Sequence, residues 1–598
     1  MKSSSNAENS VDEVRYAERE VCSTTYQNAL DNGLPATAAA VIARRVSGLS
    51  SDMGAWLQPS LRNLPDPATL PDVHVAVERL CRALQNTEVI GLCTDYDVDG
   101  ITAHTLLREA LVKHFGHPVE AVCAYIGHRL TDGYGLSDNV CARILADTPR
   151  PAVVITADCG TSDGPRIQRL AAAGIDVIVT DHHGVPVDGV PADALATVNP
   201  SRPDADFPDP AIAGCTVAWL LMSQLRRALI DTGTLPATAP KLADSLDLVA
   251  LGTVADAVSL FSPTNRAVVT AGLAVMNQRR RVCWQALAAL LERGNKPFQV
   301  DDLGFQIGPR INARGRVADP TAALNFLTAT QLKQASLHLS VLDQDNQSRR
   351  DIEQGMVRIA QRKAREALHA DDQVVCVFDD SFHPGVQGIV ASRLLERFGR
   401  VTAVLSPARE PNMATGSLRS IDGVDIGEGL RKLDEQNPGL LHRFGGHPKA
   451  AGVTLARERV DEFTAALAQA VRRQLGSTRV TPLRWHDGEL SASQLDISTV
   501  QALDALIPYG RGFEPAGFYG EFVVARSRLV GADPVHLSLD IEHDSGACRG
   551  IWFRAIKQAG DPPPLQNGDR MACVYRLSRD DYRGGGAIQL IVEHAKPI

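Results

Sequence analysis

Between residues 87 and 180 short apolar runs alternate with stretches of helical periodicity. The apolar runs fall at 87–93, 119–125, 152–157 and 175–180, and the helical stretches at about 101–115, 137–146 and 163–173. Strand-length runs separated by single helices predict an α/β domain with a parallel, doubly wound sheet. From 211 to 295 the pattern is helical, over 211–230, 241–255 and 266–276. A breaker-poor stretch rich in Gln, Arg and Glu then predicts one long helix from about 330 to 370, of a length that joins two lobes. A second α/β unit opens with the apolar run 374–378, and 476–482 reads as a linker. Beyond it, 518–598 alternates short strands with turn signals at 531–534, 544–546 and 583–586, the pattern of a small β-barrel. The expected order is a polar N-terminal extension (1–45), a catalytic α/β domain (46–329), a connecting helix (330–370), a second α/β domain (371–476) and a barrel (481–598).

Composition adds limits. A chain of 598 residues carries a prior of roughly four domains. With 44% hydrophobic and 22% charged residues it is globular and too apolar for wholesale disorder. No apolar run is long enough to span a membrane, and residues 1–20 lack a signal-peptide core, so a cytoplasmic location is expected. The 11 cysteines include no CxxC pair and read as reduced core thiols. A net charge of −9 argues against nucleic-acid affinity over the whole surface but leaves room for a local basic groove. Of the basic clusters, Arg279-Arg280-Arg281 and Arg362-Lys363 read as solvated helix faces, and Arg310, Arg314 and Arg316 form a spaced set.

The candidate chemistry lies where the apolar runs end. Asp95, Asp97 and Asp99 follow the first run, Asp158 ends the third, and Asp181-His182-His183 ends the fourth. Asp256 ends a largely apolar helical pattern. Like charges this close need a counter-charge, and a divalent cation is the obvious one. Each signal alone is weak. The Asp-x-Asp-x-Asp-Gly run lacks the later Glu of a calcium loop, and a lone Asp at a helix end is ordinarily a cap. Ligands of such sheets gather at the carboxyl ends of strands, however, so the clusters together predict one metal-dependent active site. An oxygen-rich set with imidazole suits Mn²⁺ or Mg²⁺, and two such ions activate a water and neutralise charge on a phosphodiester.

The order of these motifs resembles the DHH phosphoesterase superfamily, and within it the single-stranded-DNA exonuclease branch. The resemblance rests on Asp95–Gly100, the Arg129–Leu136 segment, Ile155–Gly160, Asp181-His182-His183, Gly252–Asp256 and Pro309–Arg316. It continues through His383–Val386, Gly388–Arg393, Gly416–Ser420, Gly445-Gly446-His447 and Ala450-Ala451-Gly452, the signatures of the accessory DHHA1 domain. It implies that Asp97, Asp99, Asp158, His182 and Asp256 hold two divalent ions, Mn²⁺ or Mg²⁺, with Asp158 as the bridge. Asp95 is either a further ligand or a holder of the attacking water. Asp181 supports the histidines, and His183 faces the scissile phosphate. No protein nucleophile is needed. Arg129, Tyr134, Arg310, Asn312 and Arg314 are implied to contact substrate. Ser417, Arg419 and His447 would cradle the 5′ end, through a hydroxyl, a bidentate guanidinium and closely approaching backbone.

Pro508–Pro515, Val535-His536-Leu537 and Gly550–Phe553 resemble the family's oligonucleotide-binding (OB) barrel. Ser538 stands where the family often has Lys, and Arg526, Arg528, Arg549 and Arg554 offer charge instead. Strand alternation leaves open which of Trp552 and Phe553 points inward. Thr94 stands where the family commonly has Gly. The implied activity is 5′-to-3′ hydrolysis of single-stranded DNA to 5′-mononucleotides, in repair and recombination, alongside a single-strand-binding protein and a helicase. Two other readings compete with it. A DHH hydrolase of short oligonucleotides, cyclic dinucleotides or pyrophosphate would be shorter and lack the barrel. A non-catalytic DNA-binding replication subunit would have lost metal ligands.

Overall fold

The computed structural model describes residues 14–46, 53–129, 131–317, 320–367, 369, 372–476, 483–543, 546–556, 560–580 and 586–598. The expected linker at 477–482, the turn positions 544–545 and 583–585, and residues 1–13 of the expected extension lie outside these. The described chain is mixed α/β and forms two compact units, one of residues 16–309, 323–336 and 483–598, the other chiefly of 310–322 and 337–482. No helix among the described residues is long and apolar enough to cross a membrane.

The first unit holds a 5-stranded, all-parallel sheet of Ile90–Thr94, Val122–Ile126, Val153–Ala157, Asp176–Thr180 and Ala196–Val198. Val122–Ile126 forms one edge, followed by the first, third, fourth and fifth strands. Ile90–Thr94 and Val153–Ala157 are buried throughout, which is why they read as unbroken apolar runs rather than as alternation. The register aligns the strand ends: Thr94 pairs with Ala157, Ala157 with Thr180, and Thr180 with Val198. The next residue on each strand is therefore in one row: Asp95, Asp158, Asp181 and Asn199. Their amides continue the ladder, Asp95 N donating to Ala157 O, Asp158 N to Thr180 O, and Asp181 N to Val198 O.

The helix after the first strand runs Val98–Glu109, starting earlier than the apolar pattern indicated because Asp97 caps it, accepting from Gly100 N at 3.1 Å. Gly214–Asp231 and Leu246–Ala255 pack against it, and Pro263–Met276 packs on the second of these. Ala196–Val198 was not anticipated, since three residues carry too little pattern to stand out.

The N-terminal segment corrects the expectation of a polar extension. Ser23–Asp31 and Ala36–Arg45 are helices, and Ala38, Ala39, Val41 and Ile42 share one core with barrel residues Leu537, Leu539, Ile541 and Tyr575. Arg45 and Arg19 both pair with the buried Asp487. Alanine is a weak hydrophobic signal, so a helix that buries mostly alanine reads as polar. The barrel itself is closed, from Phe518–Val530, His536–His543, Gly546–Trp552, Ile588–Pro597 and Arg570–Arg579 in that spatial order.

In the second unit a 5-stranded mixed sheet runs Arg443–His447, Ala450–Ala456, Met413–Arg419, Val401–Pro407, Val374–Phe378. The long helix spans Leu332–Ala367, 36 residues or about 54 Å of axis. The division between units falls within it, between 336 and 337. Residues 310–322, expected in the catalytic domain, belong to this second unit. Ion pairs explain it: Arg310 meets Asp343 at 2.8 Å and Arg314 meets Asp345 at 2.9 Å, both on the long helix.

Candidate metal centre and substrate residues

The row of strand ends becomes a site because helices bring further carboxylates to it. Asp99 is fully buried and accepts from Gly214 N at 2.6 Å and Cys215 N at 3.0 Å, the first amides of the helix Gly214–Asp231. Leu246–Ala255 can pass beside Asp99 only because position 252 is glycine; a Cβ there would stand 2.7 Å from Asp99 Oδ1. That helix ends at Asp256. Asp158 holds a left-handed backbone, φ +60°, which turns its carboxylate into the cluster.

Three groups of potential ligand atoms result, each within 4.8 Å: Asp95, Asp97 and Asp158; Asp99, His182 and Asp256; and Asp158, Asp181, His182 and His183. His182 Nε2 lies 3.2 Å from Asp158 Oδ1 and 3.6 Å from Asp256 Oδ2. Asp158 Oδ1 and His182 Nε2 are both buried without a hydrogen-bond partner, an arrangement that fits atoms meant to meet an ion or a bound water.

Without cations the cluster resists ionisation. Burial, then the charges of Asp97, Asp99, Asp95 and Asp256, push the Asp158 carboxyl well up. Burial and Asp97 do the same to Asp95. Asp99 is also raised, by burial and Asp97 against the pull of His182. Burial and Asp99 take Asp256 to about 9. Two unit charges about 4 Å apart repel by about 4 kcal/mol at an effective dielectric near 20, so these groups cannot all ionise unaided. Divalent cations remove that penalty, and the oxygen-rich, imidazole-bearing set fits Mn²⁺ or Mg²⁺. The site is thus able to hold such ions.

Asp181 stands apart. It accepts from His182 N, His183 N, Thr161 N and His183 Nδ1, the last at 2.8 Å. Burial would raise its carboxyl, but His183 and Thr161 hold it below the usual carboxylate range. In return, Asp181 outweighs the effect of burial and lifts His183 to about 9. Burial lowers His182.

Three comparisons bear on this geometry. Residues 89–253 match the DHH family, N-terminal domain; 371–473 match the DHHA1 domain; and 486–594 match the RecJ OB domain. The single-stranded-DNA-specific exonuclease RecJ of Dickeya dadantii is 36% identical over 560 residues, 91% of this chain and 93% of that one. The chain belongs to the RecJ family. The RecJ of Escherichia coli is 33% identical over 577 residues, 94% of this chain and 97% of that one. The crystal structure of RecJ in complex with Mn²⁺ from Thermus thermophilus shares the fold at a TM-score of 0.77, with 24% identity, 98% of this chain and 80% of that chain covered. A Mg²⁺ complex of the same RecJ matches at a TM-score of 0.71 and 25% identity, covering 98% of this chain and 78% of that one.

The remaining residues expected from the RecJ resemblance divide by location. Tyr134 donates to the Asp158 carbonyl at 2.7 Å, and its hydroxyl lies 3.2 Å from His183 Nδ1. Arg129 is exposed and lies over the ring of Tyr96, 5.3 Å from its centroid. Arg310, Asn312 and Arg314 share the helix Gly308–Val317, with both arginines in the ion pairs described above; the Arg316 side chain lies outside the described residues. Arg419 pairs with Ala450 and Ala450 with His447, while Ser417 pairs with Gly452 and Gly452 with Gly445. Ser417, Arg419 and His447 therefore share one face of the second sheet, and the small residues between them leave it open. A side chain at Gly388 would meet the Arg419 guanidinium at 2.7 Å, so that group lies against the first turn of the helix Gln387–Phe398. In the barrel, Trp552 packs on the core while Phe553 is exposed beside His536. The Thr94 hydroxyl is fully buried, 3.3 Å from His104 Nδ1.

Two residues of the site escaped the sequence reading. Asn199 Nδ2 donates to His183 O at 2.9 Å and to Thr161 Oγ1 at 3.0 Å, and Ser201 Oγ donates to His182 O at 2.9 Å. They clamp the main chain of both histidines. The available signal was their place after a strand, but that strand was the one too short to recognise.

Proposed function

We propose that this chain is a single-stranded-DNA-specific exonuclease that hydrolyses phosphodiesters at a centre of two divalent ions, Mn²⁺ or Mg²⁺. The observation that carries this reading is the crowd of buried carboxylates at the strand ends, with Asp158 Oδ1 and His182 Nε2 lacking hydrogen-bond partners. Bound there, the ions would activate a water and neutralise the charge that develops on the phosphate. Asp97, Asp99, Asp158, His182 and Asp256 would hold them, and Asp158 belongs to two of the three ligand groups. Asp95, which also accepts from Gly135 N at 3.3 Å, stands at the edge of one group, as a ligand or as the acceptor that orients the water. Asp181 fixes His183 Nδ1 as a donor and so points the ring's other nitrogen at the phosphate. Tyr134 holds the Asp158 backbone in place.

Arg129 offers its guanidinium to the DNA backbone, and Arg310, Asn312 and Arg314 line the strand's path on the second unit. Ser417, Arg419 and His447 form the cradle for the 5′ end, which gives 5′-to-3′ polarity and release of 5′-mononucleotides. The barrel binds the single strand, with the exposed Phe553 as a stacking platform. The RecJ names of the relatives support single-stranded DNA as the substrate. The setting is DNA repair and recombination in the cytoplasm, with a helicase and a single-strand-binding protein supplying the substrate.

A timed digest of 5′- and 3′-labelled single strands tests this. With Mn²⁺ or Mg²⁺ the 5′ label should appear at once as mononucleotide; chelator should stop the reaction. Early release of the 3′ label, or cutting in chelator, would overturn the polarity or the metal centre respectively. Arg419→Ala should slow digestion of 5′-phosphorylated strands more than 5′-hydroxyl strands, and equal loss on both would refute the cradle.

A further inference from the structure

The sequence pattern groups residues 508–515 with the barrel, yet the barrel's first strand begins only at Phe518. The segment's Phe513 joins the barrel's core, and within the first unit the segment also packs on the loop that follows Asp256. Gly510 and Phe513 bond to each other in a tight turn, Gly510 N to Phe513 O at 2.9 Å and Phe513 N to Gly510 O at 3.0 Å. From that turn Arg511 O accepts from Leu260 N at 2.7 Å. A Cβ at Gly510 would stand 2.5 Å from Leu260 Cδ1, and one at Gly512 would stand 2.4 Å from Ser259 Oγ. A larger residue at either position would have to displace the Leu260 or Ser259 side chain.

The loop is held from behind as well. The Phe513 ring meets Trp56 edge-on, centroids 5.0 Å apart, and Trp56 Nε1 donates to Phe261 O at 2.9 Å. Arg266 is fully buried, lies 3.7 Å from the Trp56 ring centroid, and donates to the carbonyls of Trp56, Leu506, Ile507 and Pro508. Spending a buried guanidinium on neutral carbonyls is a costly way to fill space; what it secures is the position of two backbone segments at once, at 56 and at 506–508. Asn265, also fully buried, donates to Ser259 O at 2.9 Å and to Ala211 O at 2.6 Å. Ala211 lies just before Gly214 and Cys215, whose amides hold Asp99.

We propose that the turn 508–515, backed by Arg266, is a positioning element of the metal centre, setting the loop that begins at Asp256 and, through Asn265, the helix start that holds Asp99. This rests on the reading of Asp256 and Asp99 as metal ligands. The segment just ahead of the DNA-binding barrel is thereby a structural part of the catalytic site.

The test uses the full chain and three measurements: Mn²⁺ binding by titration calorimetry, binding of a fluorescent single strand in EDTA, and the melting temperature. Gly510→Ala, forced against Leu260, should weaken Mn²⁺ binding by about tenfold or more, the scale of lost metal-ligand support, while single-strand binding in EDTA stays within about twofold. Gly510→Ala combined with Leu260→Ala should restore most of the Mn²⁺ affinity, which a general loss of stability would not do. Wild-type Mn²⁺ affinity in Gly510→Ala, or loss of strand binding with Mn²⁺ affinity intact, would overturn the proposal. Asp256→Asn separates the two levels. If it leaves Mn²⁺ binding unchanged, the ligand reading fails; if it weakens binding and Gly510→Ala does not, only the positioning role fails. Should Gly510→Ala not fold, Arg266→Lys, which keeps the charge and loses the fork, is read by the same measurements, with weakened Mn²⁺ binding expected and unchanged binding fatal.

Discussion

Two groups of buried charge lie in the first unit and are built on opposite terms. Around Arg281 the charges answer one another: Glu109 accepts from both guanidinium Nη atoms at 2.7 Å, and Asp247 accepts from Arg281 Nε and Trp284 Nε1, each at 2.7 Å. Burial would raise Glu109, but Arg281 and Lys113 hold it below its ordinary value. Asp247 is raised by burial even with these donors. At the strand ends the carboxylates face other carboxylates, and Asp158 Oδ1 and His182 Nε2, 3.2 Å apart, have no hydrogen-bond partner. The first group is complete within the chain. The second becomes complete only with cations, and that difference separates a structural network from a site better than burial or charge count does.

The strongest way to break the comparison is Asp158→Ala. Hydrolysis should fall by at least about 10³-fold, the scale of losing a central electrostatic group, while single-strand binding in chelator persists; wild-type cutting rates would mean that the metal centre is misassigned. Asp247→Asn should act on stability instead. Removing one partner of a buried pair costs about 3–5 kcal/mol, seen as a lower unfolding midpoint in chelator, with strand hydrolysis by the folded fraction unchanged. Asp158→Asn should not lower that midpoint, because it relieves repulsion. Equal destabilisation by the two variants would erase the distinction.

Mn²⁺ should raise the wild-type midpoint by the equivalent of about 3–4 kcal/mol at 100–1,000 times its Kd, and leave the midpoint of Asp158→Ala nearly unmoved. The pH dependence in chelator should have opposite signs for the two groups. Asp256, taken to about 9 in the fold from an ordinary 3.8, supports stability fully below about pH 4 and loses it as pH rises toward 9. Glu109, lowered from 4.5, contributes above that value and loses it as pH falls. Midpoints of Asp256→Asn and Glu109→Gln across pH check both limbs, and matching slopes would refute the assignment. The smallest effect is Tyr134→Phe, which removes one hydrogen bond to the Asp158 carbonyl, about 1 kcal/mol. A severalfold drop in kcat with intact strand binding is expected, and a change in strand binding alone would return Tyr134 to the substrate path.

Much of the site was legible because its carboxylates sit where strands of a buried parallel sheet must end. An unbroken apolar run stops at Thr94, at Ala157 and at Thr180, and the next residue is aspartate each time. The clamp from Asn199 and Ser201 was not legible, because Ala196–Val198 is too short for its period to show. Nor was the role of the N-terminal helices, whose buried face is largely alanine.

The amino-acid order by itself determined the strands, the helices and the acidic residues at their ends, since burial on both faces and local capping write themselves into composition and period. Partnership was decided only in three dimensions. Asp99 reaches the amides of residues 214 and 215, Arg310 and Arg314 take up Asp343 and Asp345, and the turn at 510–513 lands on Leu260 as well as joining the barrel's core. Such contacts join residues far apart in the chain. They depend on register and on the close approach that particular glycines permit, and neither leaves a periodic trace in the sequence.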